Sequence, residues 1–191
     1  MRRFALAALG LLVAGPALAD PRCNRYGAAE YSATRVTTTA TVPSITSRVF
    51  IVDGRVRSEA PGPNQGLLVT LTTPSLATFF STTAEPRVAI RLPPPRRHEI
   101  SAESRRLREE RAPGRVTVIT EIRDNSGLWR EVERATCRPD GVLLEARQAA
   151  IVEGRPAVTE IRQTEIRLGP QNPALFRLPD GFRLIDPPPR R

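Results

Sequence analysis

The sequence predicts a mainly β fold with short helices, an α+β chain organised around antiparallel meanders. Three observations carry this. Four runs rich in Val, Ile and Thr follow one another in the last third: Arg115–Arg123, Leu128–Arg138, Val142–Ile151 and Ala157–Leu168. The breaks between them, Asp124-Asn-Ser-Gly127, Arg138-Pro-Asp-Gly141 and Glu153-Gly-Arg-Pro156, hold the residue types that tight turns need. No apolar period of 3.6 persists through the region, as a helix would require.

Taken from the start, Met1–Ala19 has the layout of a secretory signal. Arg2 and Arg3 precede an apolar run from Phe4 to Ala14, and small residues lead to Ala19. The rival reading, a membrane anchor, needs a longer apolar run to cross a ~30 Å hydrocarbon layer. Cleavage is expected after Ala19, with no Cys beside the site for lipid attachment. The mature chain is expected to be periplasmic, with no later transmembrane segment. Residues 20–186 fit one domain with its own core, and 187–191 form a loose tail.

The two cysteines, Cys23 and Cys137, are an even pair in an oxidising compartment, so a disulfide is expected between them. Thiol or metal chemistry is the weaker alternative, because neither cysteine has a nearby His or second Cys. The chain carries 29 cationic and 20 anionic side chains, and every cation is Arg. An all-Arg set suits oxyanions. Here, however, Arg and Glu interleave, as in Arg130-Glu131-Val132-Glu133-Arg134, which reads as a solvated sheet face with cross-strand pairs. Aromatic side chains for base stacking are sparse, so nucleic acid is not an expected partner.

In the first half, Asn24–Ser32 reads as a short helix capped by Asn24, with Tyr26 and Tyr31 near one face. Thr34–Val42, Thr46–Val52 and Arg55–Ala60 read as strands, the last two joined by Asp53-Gly54. Leu67–Thr72 and Arg87–Leu92 are further strands. Between them, Pro74-Ser75 followed by Leu76–Ser81 reads as a second short helix, with Leu76, Phe79 and Phe80 on its apolar face. These three either pack plainly on the sheet or form a lid over an apolar cavity. Together with Trp129 they are the candidate ligand-binding residues. Residues 93–114 are a charged, exposed connection, read either as a solvated helix or as a loose segment.

Catalytic signals are thin. His98 is the only histidine and stands in that charged connection without an evident partner, so nucleophilic triads have little support. No carboxylate cluster has metal-ligand spacing, and no glycine-rich phosphate loop joins a strand to a helix. The expectation is a non-enzyme with no catalytic residue, no metal and no cofactor.

Val49–Val56, Trp129, Asp140-Gly141-Val142 and the closing phrase Leu175-Phe-Arg-Leu-Pro-Asp-Gly-Phe182 resemble the superfamily of the outer-membrane lipoprotein carrier (LolA/LolB-like), near its uncharacterised periplasmic members. The resemblance implies a curved antiparallel half-barrel with helices covering the concave face. It also implies an apolar hollow that takes a lipid or acylated ligand. The alternative function is an envelope protein–protein interaction or sensory module with a filled core. A dry pocket larger than a few hundred Å³ favours the first, and a filled core with an apolar surface patch favours the second.

Overall fold

In the computed structural model of the chain, residues 23, 30–39, 43–73, 75–92, 105–152 and 155–186 are described. The first six strands are β1 (Tyr31–Thr39), β2 (Ile45–Val52), β3 (Arg55–Pro61), β4 (Leu67–Thr72), β5 (Ala77–Ser81) and β6 (Val88–Leu92). The others are β7 (Arg105–Ala112), β8 (Arg115–Arg123), β9 (Trp129–Cys137), β10 (Leu143–Val152), β11 (Arg155–Leu168) and β12 (Arg183–Ile185). All twelve lie in one sheet, in the order β12-β6-β5-β4-β3-β2-β1-β11-β10-β9-β8-β7.

This order contains two meanders. One runs outward from β1 to β6; the other runs inward from the edge strand β7 to β11. They join where β11 pairs antiparallel with β1, from Tyr31 opposite Leu168 to Thr39 opposite Thr159. The turn chemistry explains the hairpins. Asp53 (φ 47°) and Gly54 (φ 72°) close β2 on β3, and two successive positive φ angles suit the right-handed twist of the flanking strands. Pro113-Gly114, with Gly114 at φ 69°, closes β7 on β8, and Ala112 lies opposite Arg115.

Residues 169–182 form a strap that leaves β11, crosses one face of the sheet and delivers β12 to the outer side of β6. There β12 pairs in parallel, Leu184 opposite Ala89. β11 and β12 stand seven places apart in the sheet order, so the connection between them must run across a face. The strap includes a 3-10 turn, Pro173–Phe176, whose first free N–H groups are met by Asn172: its Oδ1 accepts from Ala174 N at 2.9 Å. Arg57 Nη1 donates to the Leu175 carbonyl at 2.9 Å, and Arg55 stands 5.4 Å over the Phe176 ring.

The core is therefore two-sided. Under the strap, Val69, Phe80 and Ala89 pack with Leu71, Leu178 and Phe182, and the Phe80 and Phe182 rings meet edge to face at 4.9 Å. On the opposite face, Tyr31, Ala33, Val49, Ile51, Val56 and Val142 form one cluster. Cys23, Ala135, Cys137 and Leu143 form another on that face, with the disulfide Cys23–Cys137 inside it. Strand β2 lies between both systems: Val49, Phe50, Ile51 and Val52 are all buried.

The expected α+β half-barrel with helical cover is not what forms: the described strands make one open, mixed twelve-stranded sheet. The helical elements seen in full among the described residues are two 3-10 turns, Pro63–Gln65 and Pro173–Phe176, and neither covers a concave face as a helix would. Leu76–Ser81 is not a helix. Ala77–Ser81 is β5, because Thr78, Phe79 and Phe80 suit a pleated surface and pairing with β4 and β6 on both sides outweighs local capping signals. Tyr31 and Ser32, assigned to the N-terminal helix, instead open β1; residues 24–29 of that helix lie outside the described residues. The charged segment 93–114, expected as a solvated helix or loose connection, instead holds a strand, β7, exposed along its whole length; residues 93–104 lie outside the described residues.

Candidate functional site

Among the described residues, two hollows on the strap face differ in chemistry. The larger, about 540 Å³, lies over β1, β11, β10 and β9. Its charged lining is Arg134, Arg147 and Arg162 with Glu145 and Glu160. Cross-strand register arranges these in two rows: Val36–Arg162–Glu145–Thr136 and Thr38–Glu160–Arg147–Arg134. Arg134 is held by Glu131 at 2.7 Å and by Glu110 at 3.3 Å, and Arg147 lies 3.8 Å from Glu160. The hydrogen bond from Arg134 holds the Glu131 carboxyl below the usual carboxylate range, and the same bond raises Arg134. This is the interleaved Arg–Glu face foreseen from the sequence: wet and largely self-compensated.

The smaller hollow, about 220 Å³, lies between the strap and β4–β6. Leu71, Leu76, Phe176, Leu178 and Leu184 supply apolar walls, with Thr73, Thr78 and Arg91 as the polar members. Each wall has a structural reason. Leu71 and Thr78 face each other across β4 and β5, and Thr78 faces Arg91 across β5 and β6. Leu76 is set by the turn from β4 to β5, where Thr73 N donates to the Leu76 carbonyl at 2.8 Å and Thr73 Oγ1 does so at 3.2 Å. The strap contributes Phe176 and Leu178, and β12 contributes Leu184.

Arg91 is the unusual member. Its Nε is buried and has no hydrogen-bond acceptor among the described residues. Its other contact is with Asp186, Nη1 to Oδ1 at 3.4 Å, and that carboxylate is 68% exposed. A buried N–H without an acceptor costs about 1–3 kcal/mol, more on a charged group. The hollow thus joins apolar walls to one unsatisfied cationic donor.

The four candidate residues divide. Leu76 lines the small hollow. Phe80 is on the strap face beside it, held by Phe182. Phe79 alternates to the opposite face, where its register partners are Thr70 and Ile90. Trp129 begins β9, six strands from β4. There Arg106 stands 4.6 Å over its ring and is bonded to Glu121 at 2.6 Å. Strand alternation separates Phe79 from Phe80, and sheet order removes Trp129; neither is visible before the pairing is known. Sequence reading missed Arg91 and the strap residues Phe176 and Leu178. The signal for the two strap residues was the closing phrase itself, which repeats apolar residues around Pro179 and Gly181. His98 lies outside the described residues.

A second buried polar cluster occupies the disulfide face. Gln163, its amide oriented by its neighbours, accepts from Arg35 Nη2 at 2.8 Å and Nε at 3.2 Å, and donates to Tyr31 Oη at 3.2 Å and Leu143 O at 3.1 Å. Burial raises the Tyr31 phenol and lowers the Arg35 guanidinium from their ordinary values. The cluster ties β1 to β11 and to the start of β10.

No protein-family model matches the chain, and no curated protein does. Among solved structures, an uncharacterised conserved protein from Thermus thermophilus is similar over 87% of this chain and 96% of its own, at TM-score 0.53 and 15% identity. That likeness is one of fold. A LolA superfamily protein from Nitrosomonas europaea matches over 80% of this chain and 91% of its own, at TM-score 0.36 and 13% identity. At that TM-score the second likeness carries no conclusion of its own.

Proposed function

We propose that the protein is a non-catalytic periplasmic binding protein that holds an apolar chain under the strap. The observation that carries this is the small hollow, walled by Leu71, Leu76, Phe176, Leu178 and Leu184 on a sheet whose larger hollow is lined by charges. Sites for small molecules are concave and mostly apolar, with few polar groups that orient the ligand. At about 220 Å³ the hollow is smaller than the ~300 Å³ at which drug-sized sites begin. It suits one acyl chain, or the end of one, in place of a whole diacyl lipid. The Cys23–Cys137 disulfide and the signal-like Met1–Ala19 support an exported setting.

The test is native mass spectrometry with lipid extraction on protein purified gently from a periplasmic fraction. A stoichiometric single-chain lipid, lost in a Leu178→Trp variant that fills the hollow, is the expected result. A clean apo mass, unchanged after incubation with envelope lipids, would overturn the reading. Work would then turn to a protein partner, for which the eight exposed residues of edge strand β7 are the surface to test.

A further inference from the structure

We infer that the chain held under the strap ends in an oxyanion, a carboxylate or a phosphate, which Arg91 receives through Nε and the neighbouring Nη. This rests on the preceding reading and adds the chemistry of the polar end. Arg91 is the one charged side chain among the described residues that line the small hollow. Its Nε is buried with no acceptor among the described residues, while Nη1 leans at 3.4 Å on the exposed Asp186. A guanidinium binds carboxylate or phosphate side-on, with two parallel N–H donors meeting two oxygens. On Arg91 that side-on pair is Nε with Nη2; Nε has no acceptor among the described residues, and Asp186 is met by Nη1, outside the pair. Thr78 stands opposite Arg91 in the β5–β6 register and lines the same space, adding a hydroxyl beside the incoming anion.

Asp186 follows β12 directly and meets Nη1, so it leaves the Nε–Nη2 edge to the ligand's oxyanion. Binding then adds a shorter ion pair on that edge to the long, solvated one with Asp186. The same arrangement discriminates against other ends. A neutral alcohol offers one acceptor and no charge, and an ammonium opposes the guanidinium. The hollow's volume limits the ligand to a single chain, so the class is a monoacyl anion.

The experiment is calorimetric titration of delipidated protein with decanoate, decyl phosphate, decanol and decyltrimethylammonium. Decanoate or decyl phosphate is expected to bind best, with decanol roughly 10- to 100-fold weaker, as follows from loss of a charge-assisted hydrogen-bond pair. Preference between the two anions tells which source supplies the oxyanion. In Arg91→Gln, whose side chain is partly exposed and whose melting temperature is checked alongside, the anion advantage should vanish while decanol binding stays. Equal binding of all four amphiphiles would overturn the oxyanion inference and leave the apolar-chain reading standing. Binding of none would overturn the reading itself.

Discussion

Arg35 is 7% exposed and has no carboxylate partner among the described residues; Gln163 is its acceptor on two nitrogens. A buried charge held by a neutral amide is sensitive to loss of that amide. Gln163→Leu is therefore expected to cost about 2–4 kcal/mol in urea unfolding, because Arg35 keeps its charge and loses its acceptor. Arg35→Met combined with Gln163→Leu should recover most of that loss. A double variant as unstable as Gln163→Leu would refute this account. Under the strap, Phe182→Ala should cost about 1–3 kcal/mol, with a coupling to Phe80→Ala of about 0.5–1.5 kcal/mol from the edge-to-face pair, measured as a double-mutant cycle. At this scale the sequence pointed to Phe80 and Leu76 but paired them with Phe79. Neighbouring residues share a helical face only if a helix forms, and alternation on β5 sends Phe79 the other way.

Strands β8 and β9 and their turn gather three carboxylates held low by donors. The Arg106 hydrogen bond lowers Glu121, and the Arg134 hydrogen bond lowers Glu131. Asp124 is well below the usual range because Ser126 Oγ donates to it at 2.6 Å, Arg130 Nε at 2.8 Å, and the N–H groups of Ser126 and Leu128 at 2.9 and 3.0 Å. Folded values below unfolded ones mean that each contribution is present above about pH 4 and is lost as pH falls through the folded value. Hydrogen exchange should thus rise at β8–β9 amides between about pH 4 and pH 2, before the β2–β3 hairpin responds. Asp124→Asn should destabilise the protein at pH 7, and its difference from the parent should shrink on acidification. A gap that is constant with pH would show that the charge of Asp124 contributes nothing. The edge strand β7 carried a legible signal that was outweighed by its charge: Pro113-Gly114 is a turn dipeptide between Ala112 and Arg115. Its Arg and Glu residues read as a solvated helix or loop because strands usually announce themselves by apolar alternation. Here the strand is exposed on both faces and is held by backbone pairing to β8 and by ion pairs such as Arg106–Glu121.

Across the whole molecule, the disulfide joins residues 114 apart in sequence. Closing so long a loop restricts the unfolded chain strongly, so reduction, or Cys23→Ser with Cys137→Ser, should lower unfolding free energy by about 3–5 kcal/mol. Chemical denaturation with and without reductant measures it; an unchanged midpoint would mean that the cross-link adds nothing to the equilibrium. The β1–β11 pairing is the other long-range tie, and with the strap it makes one sheet of two meanders.

By itself the sequence determined that strands dominate, where most of them lie, the Asp53-Gly54 hairpin and the cysteine pair. All of these follow from local turn chemistry, β-branched content and an even cysteine count, but its α+β class with short covering helices was wrong. The tertiary structure alone decided that β11 docks on β1, that a strap and not helices covers the sheet, and that Arg91 meets Leu71, Leu76 and Leu178 at one hollow. Those are contacts between segments far apart in the chain. Their free energy comes from burying surfaces that no local window contains, so no local pattern in the sequence announces them.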